Sequence, residues 1–330
     1  MSRKFALIAL SLMLLVLIAS CQSQGTSSGA APKTPFLGGS TGLFIEFEKG
    51  SPPEEVTDRG TFDFNAIVKL RNDGEFDIRK DKVKVDLIGI LPQDFDSSPE
   101  DLNDKSPADD LTAKKRDAEG NIVEGITSFV AFPNEAETFN FPGALQGNQE
   151  FTFRADVCYL YQTRAVATLC ILKDLVNVRD DAICDPSQTK TMHSSGAPVH
   201  AANFKQSVVG KDKIGFSFDI THSSNGIIFK SGASDAPDAD CPKGARERRS
   251  KEDRVKVTVN TGLSNLRCTG LDGGTTGHVT LVSGKRTVTC TQDLDPNRND
   301  FEKPMEITLD YNYNDDKETK VLVKHLIDNS

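Results

Sequence analysis

Six cysteines carry the most constrained chemistry in this chain: Cys158, Cys170, Cys184, Cys241, Cys268 and Cys290. None stands in a Cys-x-x-Cys pair, so neither a structural zinc site nor a dithiol redox centre is read from them. An even number in an exported chain reads instead as a disulfide framework. Cys268 shares the phase of Leu266, and Cys290 that of Val288. Both are expected to point inward and pair with each other. Cys158 and Cys170 fall on the outward phase of an expected hairpin centred on Arg164, where they would face one another. That pairing would leave Cys184 and Cys241 to join the two halves of the chain. The alternative is Cys170 with Cys184, and the sequence leaves both open.

Oxygen-bearing side chains alternate at Asp293, Asp295, Asn297, Asn299 and Asp300, as they do in calcium loops. A complete EF-hand loop needs Gly where Arg298 stands and Glu where Pro304 stands. The pattern is therefore a weak calcium candidate beside a solvated turn; no other cofactor is expected. The five histidines lack metal-ligand spacing, and no nucleophile-elbow motif occurs. His222 follows Ile220 on an inward phase, where a structural role is expected. Arg246, Arg248, Arg249 and Lys251 form a basic cluster diluted by acids, read as a solvated loop. No catalytic residue is assigned, and the chain is read as a non-enzyme.

The N-terminus sets the compartment. Arg3 and Lys4 precede an apolar run from Phe5 to Ala19, and then Ser20-Cys21. This is the layout of a secretory signal, and Leu17-Ile18-Ala19-Ser20-Cys21 resembles the lipobox of prokaryotic lipoproteins. The resemblance implies that Cys21 is acylated and holds the protein to a membrane from outside the cytoplasm. The formal net charge is -9, and the signal contributes two of the cations. Such acidity argues against nucleic-acid binding and against electrostatic attachment to anionic lipid.

These residues need elements to position them. Segment 22–40 has no apolar period and reads as a disordered tether. Beyond it, alternation has period two. Phe62, Phe64, Ala66, Val68 and Leu70 share one face, ahead of an Asn72-Asp73-Gly74 turn. Val83, Val85 and Leu87 repeat the pattern, as do Phe151, Phe153, Ala155 and Val157. Asp94–Glu124 reads as a disordered acidic insertion, with a binding loop as the alternative, and Asp174–Asp181 as one helical turn. The grammar returns in Ile214, Phe216, Phe218 and Ile220, followed by Ser224-Asn225-Gly226. Phe64 and Phe216, Gly74 and Gly226, and Tyr159 and Tyr311 are each 152 positions apart. The reading is all-β: after a signal at 1–21, two tandem immunoglobulin-like antiparallel sandwiches, 41–190 and 195–330.

The mature region also resembles surface lipoproteins with tandem immunoglobulin-like domains found in small-genomed archaea. The likeness rests on Gly42-Leu43, the Asn72-Asp73-Gly74 turn, Cys158-Tyr159-x-Tyr161-x-Thr163, and Cys268 and Cys290 flanking Gly284-Lys285. The absence of Trp departs from an antibody-type core. The resemblance implies a place and a shape, with no activity attached. The expected function is that of a non-enzymatic, lipid-anchored cell-surface protein in adhesion or in a surface assembly. Its partners would be the membrane and another protein or itself. The alternative is an extracytoplasmic binding module holding a small ligand or partner in a deep pocket between its domains. The first strand, Gly42–Phe47, is expected to pair within its own domain or to offer an edge to a neighbour.

Overall fold

Period-two alternation becomes a β ladder wherever two such segments can bury their apolar faces together. The computed structural model describes residues 34–327, apart from 135, 233–238 and 272–273. The signal at 1–21, with Cys21, and residues 22–33 of the expected tether lie outside the described residues. Residues 34–40 do not continue that tether freely. The Leu37 and Gly38 N–H groups donate to the Glu75 carboxylate at 2.9 and 2.8 Å, as does Gly196 N–H.

The N-terminal half supplies β1 (Leu43–Phe47), β2 (Glu55–Thr57), β3 (Ala66–Asn72), β4 (Val83–Ile88), β5 (Lys115–Arg116), β6 (Ile122–Val123), β7 (Thr127–Phe132) and β8 (Gln149–Ile171). The C-terminal half supplies β9 (His193–Ser194), β10 (Val199–Gly210), β11 (Lys213–His222), β12 (Ile227–Lys230), β13 (Arg254–Asn260), β14 (Leu266–Cys268), β15 (Thr276–Thr280), β16 (Lys285–Asp293) and β17 (Phe301–Lys324). The protein is all-β, with strand pairing almost entirely antiparallel. One small sheet has the order β1-β3-β7, and another the order β10-β11-β16-β14. A large sheet runs β15-β13-β17-β8-β4, with β2, β9 and β12 added to it. After β1 the chain crosses from the small sheet to the large one, where β2 pairs in parallel with the end of β17.

The expected hairpin at Arg164 does not form. β8 is one strand of 23 residues, and its odd-numbered positions from Phe153 to Ile171 are all buried. Burial keeps its phase through Thr163, exposed Arg164 and Ala165, so nothing there asks the chain to turn. Its partner is β17, antiparallel along its whole length from Phe301–Ile171 to Val323–Gln149. The first part of β8 pairs with β4 and the first part of β17 with β13. Each long strand then continues into the other half. The halves expected at 41–190 and 195–330 accordingly lie within one compact unit, Thr34–Ser330.

The centre of this ladder explains the repeat. Leu160 pairs with Asn312, itself 152 positions on, so an approximate twofold passes through that pair. Tyr159 faces Tyr313 and Tyr161 faces Tyr311, and all four rings are fully buried. A Cβ at Gly74 would lie 1.8 Å from the Tyr161 hydroxyl, and one at Gly226 would lie 2.6 Å from the Tyr313 ring. These glycines are there for space. Neither has a positive φ.

Three further expectations are corrected. Asp94–Glu124 is ordered around buried Phe95, Leu102 and Leu111. Phe95 stacks edge-on with Phe151 and Phe153, centroids 5.1 Å away in both cases. Apolar residues spaced this widely need an outside core to gather them, so their local run looks polar. Asp174–Asp181 forms no helix; the Asp174 carboxylate accepts the Val176 and Asn177 N–H groups and fixes a turn instead. Phe62 is 42 % exposed, because the regular β3 ladder begins only at Ala66.

Candidate binding groove

Beyond Ile171 the chain leaves β8 and enters the loop 172–184. Cys170 and Cys184 close it with a disulfide. The loop lies against the β10–β11 turn and the 293–300 turn, and one residue joins the three. Arg298 is buried, and its guanidinium donates in three directions. Nε reaches Leu172 O at 2.6 Å; Nη1 reaches Asp212 Oδ1 at 2.7 Å and Asp295 O at 3.0 Å; Nη2 reaches Lys211 O at 2.8 Å and Lys173 O at 3.3 Å. A planar fork of five N–H donors suits such a ring of carbonyls, and a lysine could not fill it.

This clamp decides the calcium candidate. Asp293 pairs with Lys213 at 2.9 Å, and Asp295 accepts the Asn297 N–H. Asp300 accepts the Lys173 N–H, and Asn299 is exposed. Arg298 stands in the middle, so the fixed charge there is a cation. Among the described residues, no group of three or more His, Cys, Asp or Glu side chains is arranged to hold a metal ion. Arg298 escaped the sequence reading because it looked like an interruption of the acidic pattern. Its one signal is a lone cation inside an Asp/Asn turn.

Two cavities flank the clamp. One, of about 870 Å³, opens under the stapled loop among Lys173, Arg179, Lys211, Val176 and Asp300. The other, of about 580 Å³, lies between Ile171, Leu263, Leu294 and Phe301. Asp174 is held below the usual carboxylate range by N–H donors from Asn177 and Val176. Asp300 sits 3.6 Å from Arg179. The lining therefore offers Lys173 and Lys211 as cations whose neighbouring acids are already engaged. Val176 and Ile183 expose apolar surface beside it. The arrangement can hold a polar or anionic group; it brings together no nucleophile and base.

Along the central ladder, the four tyrosines fill the space between the halves. The Tyr159 hydroxyl accepts Leu43 N–H at 3.2 Å, and Tyr161 donates to Gly196 O at 2.9 Å. Tyr311 meets Thr163 at 3.0 Å, and Tyr313 bonds Gly226 N–H and His222 Nε2. Burial pushes all four phenols up, Tyr313 to about 12. Burial also lowers the pKa of His222, whose expected structural role is to cap Tyr313 as a neutral ring.

A His–carboxylate pair that sequence reasoning missed lies at the chain's end. His325 Nδ1 is 2.9 Å from fully buried Asp58. Asp58 also accepts the Leu145 and Leu326 N–H groups. Burial opposes its charge, but these donors hold it at about 2. The pair ties the end of β17 to the segment after β2.

The described residues form three disulfides. Cys268–Cys290 forms as expected, across directly paired residues of β14 and β16. Cys170–Cys184 is the second. The third is Cys158–Cys241, so the inter-half bridge exists but starts from Cys158. Cys158 and Cys170 cannot meet, because they lie 12 positions apart on one extended strand. Among the described residues, no helix is long and apolar enough to cross a membrane.

No protein-family model matches the chain, and no curated protein matches it. Among solved structures, the chain is similar to the secreted serine protease VesC from Vibrio cholerae at 9 % identity, with 82 % of this chain and 50 % of that chain covered and a TM-score of 0.17. The chain thus spans about half the length of that structure, and at this TM-score the likeness says nothing of fold or activity.

Proposed function

We propose that this chain is a prokaryotic lipoprotein anchored through Cys21 at the cell surface. There it acts without catalysis, in adhesion or as a structural part of a surface assembly. Its folded part is two immunoglobulin-like sandwiches fused by exchanged strands. In each, a small sheet faces one end of the large sheet; the chain switches between them after β1 in one and between β9 and β10 in the other. The observation that carries the reading is the β8–β17 ladder. A 23-residue strand paired along its length, with the Cys158–Cys241 bridge across it, makes a body suited to bearing load in an oxidising exterior. The test is fractionation of the full-length chain in a host that processes lipoproteins. Wild type should enter the detergent phase and react with a membrane-impermeant amine label on intact cells. Cys21→Ala should become soluble or remain an unprocessed precursor. A processed Cys21→Ala that stays in the membrane, or a wild type shielded from the label, overturns the proposal.

A second reading is favoured by one observation: the two cavities beside Arg298 are lined by residues of both halves. The protein would then be a binding module for a small polar or anionic ligand, held under the stapled loop where residues of both halves line the cavity. Calorimetry with an acidic peptide is the check. Lys173→Glu with Lys211→Glu should weaken binding; equal binding by variant and wild type removes this reading.

A further inference from the structure

The small sheet β1-β3-β7 has two edges, and they are treated differently. The β7 edge is covered by the insertion: Ala108 N–H reaches Phe129 O, Ile126 N–H reaches Thr112 O, and Asp109 N–H reaches the Ser128 hydroxyl. Among the described residues, the β1 edge has no such cover. Gly42 O accepts Asp73 N–H, and Glu48 N–H donates to Ile67 O. The register pairs Leu43 with Asn72, so the even-numbered residues of β1 face β3. The backbone groups of Leu43, Ile45 and Phe47 therefore point away from the sheet. Leu43 N–H is taken by Tyr159. Ile45 N–H and O, Phe47 N–H and Leu43 O have no partner among the described residues. An edge of this kind, without an inward charge, a proline or a bulge, is a template for another strand.

We propose that a second copy of this chain adds its own β1 here, antiparallel, with Ile45 on the twofold axis. The pairing is self-complementary. Ile45 N–H would donate to Ile45 O of the other copy, and the reverse. Phe47 N–H would donate to Leu43 O of the other copy, again twice. Leu43, Ile45 and Phe47 would extend the apolar inner face across the junction. On the outer face, Phe44 of one copy would lie opposite Glu46 of the other. Glu46 is bonded to Lys69 at 2.9 Å, and the Arg71 guanidinium stands 4.9 Å from the Phe44 ring centroid. Each Glu46 would then sit between Lys69 of its own copy and the Arg71 guanidinium of the other, which Asp73 binds at 2.6 and 2.9 Å and holds beside the Phe44 ring. A strand from an unrelated protein would bring no reason for this match. The inference rests on the β1 edge alone and does not depend on the lipid or the groove.

The test uses the full-length chain in intact cells. The double variant Phe44→Cys with Glu46→Cys places thiols opposite each other only in this register. Mild oxidation should give a covalent dimer on a non-reducing gel, and Phe62→Cys, exposed away from the edge, should not. Adding Ile45→Pro removes two inter-copy hydrogen bonds and none to β3, so dimer yield should fall about tenfold or more. Phe44→Glu keeps a partner in Arg71 but faces Glu46 of the other copy. It should lower association in detergent solution without lowering the melting temperature, which separates the effect from misfolding. No covalent dimer from a folded double variant overturns the proposal. So does a dimer whose yield is unchanged by Ile45→Pro, which would point to crowding or another interface.

Discussion

The two halves share a centre and differ at their rims. In both, a glycine after the second strand of the small sheet makes room for a tyrosine of a long strand: Gly74 for Tyr161, and Gly226 for Tyr313. At the rims the solutions diverge. The N-terminal half covers β7 and β4 with its insertion, where Lys105 and Val85 exchange backbone bonds. The C-terminal half bends β10 instead, with a register shift beside Asn203 at φ 55° and a bridge from Thr189 to Lys205. Its other edge, β14, is only three residues and is stapled to β16 by Cys268–Cys290. Steric fit between two copies of a motif leaves little freedom at the centre. An edge only has to be protected, and covering, bulging or cross-linking all serve.

The disulfides give the largest test of that contrast. Cys158–Cys241 closes a loop of 83 residues across the halves, whereas Cys170–Cys184 closes 14. On chain entropy, removing the first should cost about 4–5 kcal/mol and removing the second about 3 kcal/mol. Denaturant melts of Cys158→Ser with Cys241→Ser, and of Cys170→Ser with Cys184→Ser, should rank in that order. The reverse order would mean that the halves are not held together through Cys241.

Next in size is Arg298→Ala. It leaves four carbonyls and Asp212 without their donor, a loss of about 3–5 kcal/mol. Hydrogen exchange should rise in 172–184 and 293–300 while β4 and β7 stay protected. Spread of the loss to β4 would show that the clamp supports the whole sheet.

The centre can be probed with Gly74→Ala and Gly226→Ala, each expected to destabilise by about 1–3 kcal/mol through overpacking. Rescue should differ. At Gly74 the nearest obstacle is the Tyr161 hydroxyl, so Tyr161→Phe should recover part of the loss. At Gly226 the obstacles are Asn314 O and ring carbons of Tyr313, so Tyr313→Phe should recover none. Equal rescue would refute the steric account of the repeat.

The smallest effects come from acids of opposite sign. Asp156 faces Asp86 and Asp316 on neighbouring strands, and burial together with those carboxylates raises its pKa. Its charge costs stability at neutral pH, so Asp156→Asn should stabilise, and the gain should shrink as pH falls and the acid protonates. Asp219 is the reverse. Burial opposes its charge, but Lys285, Thr287 and Asn203 bond it and hold it at about 2. Its contribution is present above the unfolded value near 3.8 and is lost as pH falls toward 2. Asp219→Asn should therefore destabilise at pH 7 and become neutral in strong acid. Melting curves across pH would expose either sign error.

Strand content was legible because alternation survives in one dimension. Phe64, Val68, Leu70, Phe153, Phe216 and Phe218 are all buried, on the faces their phase indicated. The length of β8 was legible too, since Thr163 and Ala165 keep the phase through Arg164; a turn was imposed where the pattern asked for none. β17 was harder. Asp315–Lys320 carries almost no apolar residue, and it is a strand only because Phe153, Ala155 and Val157 of β8 stand opposite it. The groove was hidden for a similar reason. Arg298 draws its meaning from carbonyls at 172, 173 and 211, and a carbonyl has no letter in the sequence.

The long ladder also sets an order in time. Gln149 has to wait for Val323, and Phe153 for Thr319. When the N-terminal half has been synthesised, the strand that completes its large sheet does not yet exist. One edge of β8 stays unpaired until β17 is available. Such distant contacts slow folding and lengthen the life of open intermediates. A ladder built this way closes late, when β17 can finally lie beside β8.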